Sequence, residues 1–418
     1  MRPTLPLLLA TLIAAAPALA ATPEQTAQAA LRAAPVWDGH NDVPEQLRER
    51  RRDMIADFDF RDTTGTADAA KGQQAMHTDL ARLRRGHVGA QFWSVYVSAD
   101  LPEPQAVQAT LEQIDVTKRL IARYPQEMQL ATSTAEVERA MKAGKIASLI
   151  GMEGGHSIGG SLGVLRQMYA LGARYMTLTH FKTLAWADAA TDAPVHGGLT
   201  DFGRDVVREM QRLGMLVDLS HVSADTMRDA LAVAKAPVIF SHSGTRSINS
   251  HPRNVPDDVL ALLKANGGLV MVDFAPDYVS EDVRAWSAAK AAETARLAAL
   301  NIGDPSAAEQ GVAAWLAAHP APKATLAQAA DHIDQVRKVA GIEHIGLGGD
   351  FDGVGSLPTG LEDVSTYPAL FTELARRGYS RGDLEKISSG NMLRVMKAAE
   401  AYAAAHRGDA PVETPTGF

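Results

Sequence analysis

Short apolar runs punctuate the chain, and between them lie stretches whose apolar positions recur with helical spacing. Eight runs stand out, at 35–42, 87–97, 146–153, 175–180, 215–221, 238–242, 267–274 and 344–350. Each is β-branched or apolar, so each reads as a strand. Helical spacing marks 163–171, 203–213, 224–234, 256–266 and 326–340, and a polar-faced helix over 22–34 leads into the first run. Strand and helix in alternation imply parallel pairing. Eight such units fit an α/β fold of the closed (β/α)₈ or TIM-barrel type, with a doubly wound open sheet as the rival. The polar residues decide between them. Runs one, three, four, five, six and eight end in His, Asp or Glu. Barrel enzymes collect active-site residues at that C-terminal rim, whereas the crevice of an open sheet draws on fewer strands.

One stretch interrupts the rhythm. Residues 280–322 are Ala-rich, with Trp286, Leu297, Leu300, Trp315 and Leu316 at roughly helical spacing. They read as a helical insertion after the seventh strand, which caps the site, contacts a second subunit or packs on the barrel as a surface excursion. A last helix covers 392–405, and the Pro-, Gly- and Thr-rich residues 406–418 are expected to form a loose tail. A length of 418 residues would suit two or three average domains, yet barrels of this size occur as one unit. Residues 21–405 are therefore read as a single catalytic domain.

Composition narrows the picture. Arg2, an apolar stretch from Leu5 to about Ala15, and Ala18-Leu19-Ala20 ahead of Ala21 read as a secretory signal cleaved after Ala20. The mature protein is thus expected in the periplasm or outside the cell, without a membrane anchor. Net charge is −8 and no basic run alternates with aromatics, which argues against nucleic acid as a partner. Arg48, Arg50, Arg51 and Arg52 read as a solvated helix face. There is no cysteine, so a metal site must be built from oxygen and nitrogen donors.

Such donors gather at the strand ends. His40 and Asp42 are two residues apart, so on a strand both would face the barrel mouth. Glu153 follows an apolar run and precedes Gly154 and Gly155, on backbone free to bend, and its two oxygens can bridge two cations. Two neighbouring strands end in Ser220-His221 and Ser241-His242. His40, Asp42, Glu153, His221 and His242 thus come from four strand ends on one expected rim. Nitrogen and carboxylate ligands without thiolate suit Zn²⁺, with Mn²⁺ or Co²⁺ as substitutes in vitro. Two such ions about 3.5–4 Å apart lower the pKa of a shared water toward neutrality. Asp350 at the eighth rim position can take that proton and hand it to a leaving amine. His180, outside the five ligands, is placed to stabilise an oxyanion. His156 reads as a packed or supporting imidazole, and Asp352 as a cap on the turn at Gly353.

The motifs Asp38-Gly39-His40-Asn41-Asp42, Glu153-Gly154-Gly155-His156, Thr179-His180, Asp218-Leu219-Ser220-His221, Ser241-His242-Ser243, Arg253-Asn254-Val255-Pro256-Asp257-Asp258 and Gly348-Gly349-Asp350-Phe351-Asp352-Gly353 together resemble the membrane dipeptidase (renal dipeptidase) family of zinc peptidases, a branch close to the amidohydrolase barrels. The likeness spans roughly residues 35–394. It implies two Zn²⁺ per chain, one on His40 and Asp42, the other on His221 and His242, with Glu153 bridging. It also implies that His180 contacts the substrate carbonyl, that Arg253 pairs with the free carboxylate of a dipeptide, and that Asp350 sits beside the substrate amine and the bridging water. Family members are often homodimers, although this sequence displays no interface. Mammalian members carry disulfides and a lipid anchor; this chain has no cysteine and no apolar C-terminal stretch, so it resembles a soluble, exported bacterial form. The loop at Trp186-Ala187-Asp188-Ala189 corresponds to one that faces substrate in the family.

The leading expectation is hydrolysis of dipeptides, including those with a C-terminal D-residue. One rival is another two-metal hydrolase of the amidohydrolase type, an N-acyl amino acid amidase, lactonase or phosphoesterase, which Arg253 would separate through its demand for a free carboxylate. The other is a catalytically silent, ligand-binding barrel, against which stands the presence of every chemical position.

Overall fold

Successive strand residues point to opposite faces, and here both faces are apolar. Trp37, Phe92, Leu149, Tyr175, Leu216, Ile239 and Leu269 belong to one buried cluster, while their neighbours Val36, Trp93, Ile150, Met176, Val217, Phe240 and Val270 belong to another. A sheet buried on both sides needs an inner filling and an outer coat of helices, which is the barrel solution. The structure, a computed structural model, describes residues 21–415; the assigned leader at 1–20 and residues 416–418 lie outside them.

Nine parallel strands form the sheet: β1 (Val36–Asp38), β2 (Val88–Tyr96), β3 (Met128–Leu130), β4 (Ile146–Glu153), β5 (Ala173–Thr177), β6 (Leu216–Asp218), β7 (Ile239–Phe240), β8 (Leu269–Val272) and β9 (Ile345–Leu347). Their order is β2-β1-β9-β8-β7-β6-β5-β4-β3, and a further pairing of β2 with β4 closes the ring. The closed barrel therefore has the eight expected strands. β3 is an addition that the apolar pattern does not announce. It pairs with Ile146–Ser148, while β5 takes Ile150–Glu153, so β3 fills the part of the β4 edge that β5 leaves open. Three residues are too few for a readable period. The flanking helices Glu103–Arg123 and Thr134–Lys142 occupy the rest of this unassigned interval.

The strands are shorter than the apolar runs. β1 ends at Asp38, Asp42 is the residue ahead of the helix Val43–Arg51, and His40 falls in the turn between them. Strand alternation is thus not what brings His40 and Asp42 together, a correction to the sequence argument. Of the rim residues, only Glu153 closes a strand; the others stand just beyond strand ends, where the chain leaves the ladder.

Residues 280–322 form two helices, Glu281–Leu300 and Pro305–Ala318, that lean on each other through Trp286 and Trp315, ring centres 5.9 Å apart. Only Val283 of the first and no residue of the second is buried. The last helix, Asn391–Ala405, contributes Met392, Val395 and Met396 to the inner cluster, and the Asn391 amide donates to the Ile345 carbonyl at the start of β9. Beyond it the tail is tied at Val412, whose N–H donates to Glu209 and whose carbonyl accepts from Arg166. No described helix is long and apolar enough to cross a membrane.

Candidate active site

At the C-terminal rim, ligand-type side chains from four other strand ends converge on the Glu153 carboxylate. His221 Nε2 and His242 Nε2 lie 3.1 and 3.4 Å from its Oε1, and His40 Nε2 lies 3.4 Å from its Oε2. His180 joins them, with Nε2 3.7 Å from Oε1. The Asp42 Oδ2 atom is 3.3 Å from His40 Nε2. Three groups have donor atoms close enough to share a cation: His40, Glu153 and His242; Glu153, His180 and His221; His40, Asp42 and Asp350. The five ligands expected from the sequence, together with His180 and Asp350, thus occupy one cluster, and each is less than 9% exposed. Together with Glu45, Tyr96, Phe181, Tyr278, Gly353 and Val354, residues of this cluster line a cavity of about 130 Å³. A larger groove of about 680 Å³ lies at the opposite end of β1, lined by Arg32, Glu138 and Lys386 among others; it gathers no comparable donor set.

The electrostatics of this cluster fit a metal centre. His221 Nε2 and His242 Nε2 are 2.9 Å apart and both face the carboxylate. Burial holds both imidazoles well below their ordinary pKa, and the neutral form is the one that ligates. Asp42 Oδ2 is buried without a hydrogen-bond partner, a costly state unless a cation satisfies it. Glu153 is held well below the carboxylate range, because His40 and the bonds from His221 and His242 outweigh its burial. All donors are oxygen or nitrogen, as the absence of cysteine requires.

Supporting bonds fix the imidazoles from behind. His40 Nδ1 is 2.9 Å from the Tyr175 hydroxyl inside the barrel, and His242 Nδ1 is 2.8 Å from Ser241 Oγ, which in turn donates to Asp218. Two buried carboxylates stitch neighbouring rim segments together. Asp38 Oδ1 accepts from His40 N and Gly349 N, and Asp218 Oδ1 accepts from Ser220 N and Ser241 N. Such outer partners set the ligand orientation. Ser241→Ala is accordingly expected to weaken metal affinity about 10–100-fold with the fold retained, as measured by competition with a chromogenic chelator and by circular dichroism.

His221 and Asp350 both adopt left-handed backbone, at φ 68° and 54°, conformations that non-glycine residues accept mainly where surrounding structure enforces them. Burial, then the charges of Asp273 and Asp42, pushes the Asp350 carboxyl well above its ordinary range. Burial, reinforced by Arg253 although opposed by Glu153, brings His180 down to about 4. Arg253 is fully buried. Its guanidinium donates to the His242 carbonyl and Ser243 Oγ and lies 5.1 Å from the Tyr278 ring centre, so Tyr278, not Arg253, forms the cavity surface there.

A profile of the membrane dipeptidase family, peptidase family M19, matches residues 24–409. The chain belongs to this family. Among curated relatives, Dipeptidase 3 of Macaca fascicularis is 40% identical over 392 residues, 93% of this chain and 70% of the relative. Solved structures share the fold. The probable dipeptidase PvdM of Pseudomonas aeruginosa superposes with a TM-score of 0.75 at 24% identity, over 91% of this chain and 99% of that one. A metallopeptidase of Rhodobacter sphaeroides gives 0.69 at 22%, over 88% and 99%. As a member of a metallopeptidase family, the chain has a cluster suited to its chemistry.

Several readings shift in three dimensions. In the loop after His180, Phe181 faces the cavity and is 47% exposed, while Trp186 packs inward against Phe202, ring centres 6.0 Å apart. Asp188 turns inward as well, accepting from the N–H groups of Val195, His196 and Gly198. His156 is a packed imidazole on the Val97 carbonyl at 2.9 Å. Asp352 is structural, but it accepts from His77 N and does not cap the turn at Gly353. Tyr175, Tyr278, Ser94 (a donor to Glu153 Oε2) and Glu45 carry no sequence signal of their own. Asp38 and Asp218 do: each precedes an expected ligand histidine by two or three residues.

Proposed function

We propose that this protein is an exported zinc dipeptidase that holds two Zn²⁺ per chain and hydrolyses the peptide bond of dipeptides, those with a C-terminal D-residue included. The observation that carries the reading is the Glu153 carboxylate with three buried imidazole nitrogens within 3.1–3.4 Å. His40 and Asp42 would hold one ion, His221 and His242 the other, and Glu153 both. When bound, the ions supply a water of lowered pKa as nucleophile and polarise the scissile carbonyl. Asp350, ionised beside the bound cations, would take a proton from the attacking water and pass it to the departing amine. His180, neutral at pH 7, donates its N–H to the carbonyl oxygen as charge builds there. The buried Arg253 supplies positive charge behind Tyr278 for the substrate carboxylate.

The Rhodobacter sphaeroides relative was solved with a phosphinate mimic of L-Ala-D-Ala, which supports acceptance of an L-D pair. The leader pattern of the first twenty residues supports export. The test joins metal analysis to a substrate panel. Purified mature protein is expected to carry about two zinc ions, to lose activity on chelation, and to regain it with Zn²⁺. L-L and L-D dipeptides should be cleaved and N-blocked dipeptides and tripeptides spared; full activity on the blocked or longer peptides would reassign the protein to another amidohydrolase chemistry.

A further inference from the structure

Glu45 stands in the first turn of the helix Val43–Arg51, half-buried, and contributes to the wall of the catalytic cavity. Among the described residues its carboxylate has no hydrogen-bond or ion-pair partner. The charged groups around it are mostly of its own sign: Asp42, Glu49 and Glu153, against His40. Metal ions would answer Asp42 and Glu153, but they leave Glu45 and Glu49 unanswered. The arginine of the adjoining groove is no substitute. Arg50 shares an adjoining groove with Glu45 and Glu49, yet its guanidinium is already committed to Gln46 and to the Thr66 and Gln74 carbonyls.

That groove, of about 300 Å³, continues from the cavity: Glu45, Gly353 and Val354 line both. Gly353 ties this groove to the acidic side of the site. A Cβ on it would come within 2.3 Å of Asp42 Oδ2 and 2.5 Å of Asp350 Oδ1, so its backbone abuts both carboxylates, a side whose charge suits the free ammonium end of a dipeptide and repels its carboxylate end. A partnerless carboxylate half out of water in a field of like charge is stabilised by an incoming cation.

We propose that Glu45 selects dipeptides with a basic N-terminal residue, lysine or arginine, whose side chain leaves the cavity past Glu45 toward Glu49. This rests on the dipeptidase reading above. The ammonium or guanidinium head pairs with Glu45 while the aliphatic stem runs along Val354, a split that long basic side chains make readily.

The test compares Lys-Ala with norleucine-Ala, which keeps the stem and loses the charge, on zinc-loaded mature protein. The unaltered enzyme is expected to favour Lys-Ala in kcat/KM by about 10–100-fold, the range of a charge-assisted bond, mainly through KM, and added salt should erode the preference. Glu45→Gln should bring the ratio to about 3 or below, and Glu45→Arg should turn the preference toward Glu-Ala. Equal use of Lys-Ala and norleucine-Ala by the unaltered enzyme, or a proportional loss of both in Glu45→Gln, would overturn the proposal while leaving the dipeptidase reading intact. Hydrolysis of neither peptide by the zinc-loaded enzyme would refute that reading, and this proposal with it.

Discussion

Glu153→Gln should weaken metal binding by at least one ion per chain and abolish activity with it. The carboxylate lies between nitrogens of opposite walls of the rim, with His40 on one oxygen and His221 and His242 on the other. An amide of the same shape keeps one oxygen acceptor, turns the other position into a donor, and removes the negative charge that would offset two dications in a buried site. An ion on the amide nitrogen side would then lose a ligand, and a water shared by the pair would return toward its ordinary pKa. The expected fall in kcat/KM is about 10³-fold or more, with zinc dropping from about two ions per chain to one or fewer by elemental analysis. The Ser94 hydroxyl, which donates to Oε2, can turn to suit an amide, so the fold should survive and thermal unfolding of the metal-free forms should be similar. A variant that retained both ions and a tenth of the activity would show that Glu153 does not bridge.

The second large effect is expected at Arg253. Replacing it with Met removes a fully buried guanidinium that serves two ends: its charge faces the cavity behind Tyr278, and its Nη2 holds the His242 carbonyl at 3.1 Å. The substrate comparison separates them. A buried charge acting across the Tyr278 ring without direct contact is worth about 1–2 kcal/mol at an effective dielectric near 20, so KM for Ala-Ala should rise roughly 5–30-fold. The corresponding C-terminal amide carries no carboxylate and should change far less. A proportional loss on acid and amide would mean that Arg253 acts only by holding His242, and the carboxylate would need another recognition element. Thermal unfolding belongs in the same experiment. Met fills similar volume but leaves the buried Asp273 without the positive charge that now tempers it, so some destabilisation should accompany the kinetic change.

The legible parts of this protein were those with a local physical cause. Apolar runs buried on two faces can only be covered by helices on one side and by one another on the other, so strand-helix alternation led to a barrel. Thr22 and Thr325 close capping boxes with Gln25 and Gln328 near the expected starts of their helices. The five donors expected from the sequence are readable as a set because a polar residue at the end of an apolar run has few reasons to be there. Less legible were side chains whose role depends on a partner distant in sequence. Tyr175 looks like any strand aromatic until His40, 135 residues away, is seen on its hydroxyl. The resemblance marks the loop at Trp186-Ala187-Asp188-Ala189 as facing substrate and gives no sign of Phe181, because nothing in the loop sequence says which ring finds Phe202 to pack against. β3 escaped because three residues pair only where another strand leaves a gap.

The sequence by itself determined the eight barrel strands, the kinds of donor available and the family, since composition, period and motif order are properties of the chain. The tertiary structure alone decided that His40 and Asp42 meet in a turn and not on a strand, that Arg253 lies beneath Tyr278, and that Glu45 faces the cavity without a partner. Closing the ring sets these relations: residues more than a hundred positions apart become neighbours only when β1 pairs with β9 and β2 with β4, and which neighbours they gain depends on where each chain segment leaves its strand.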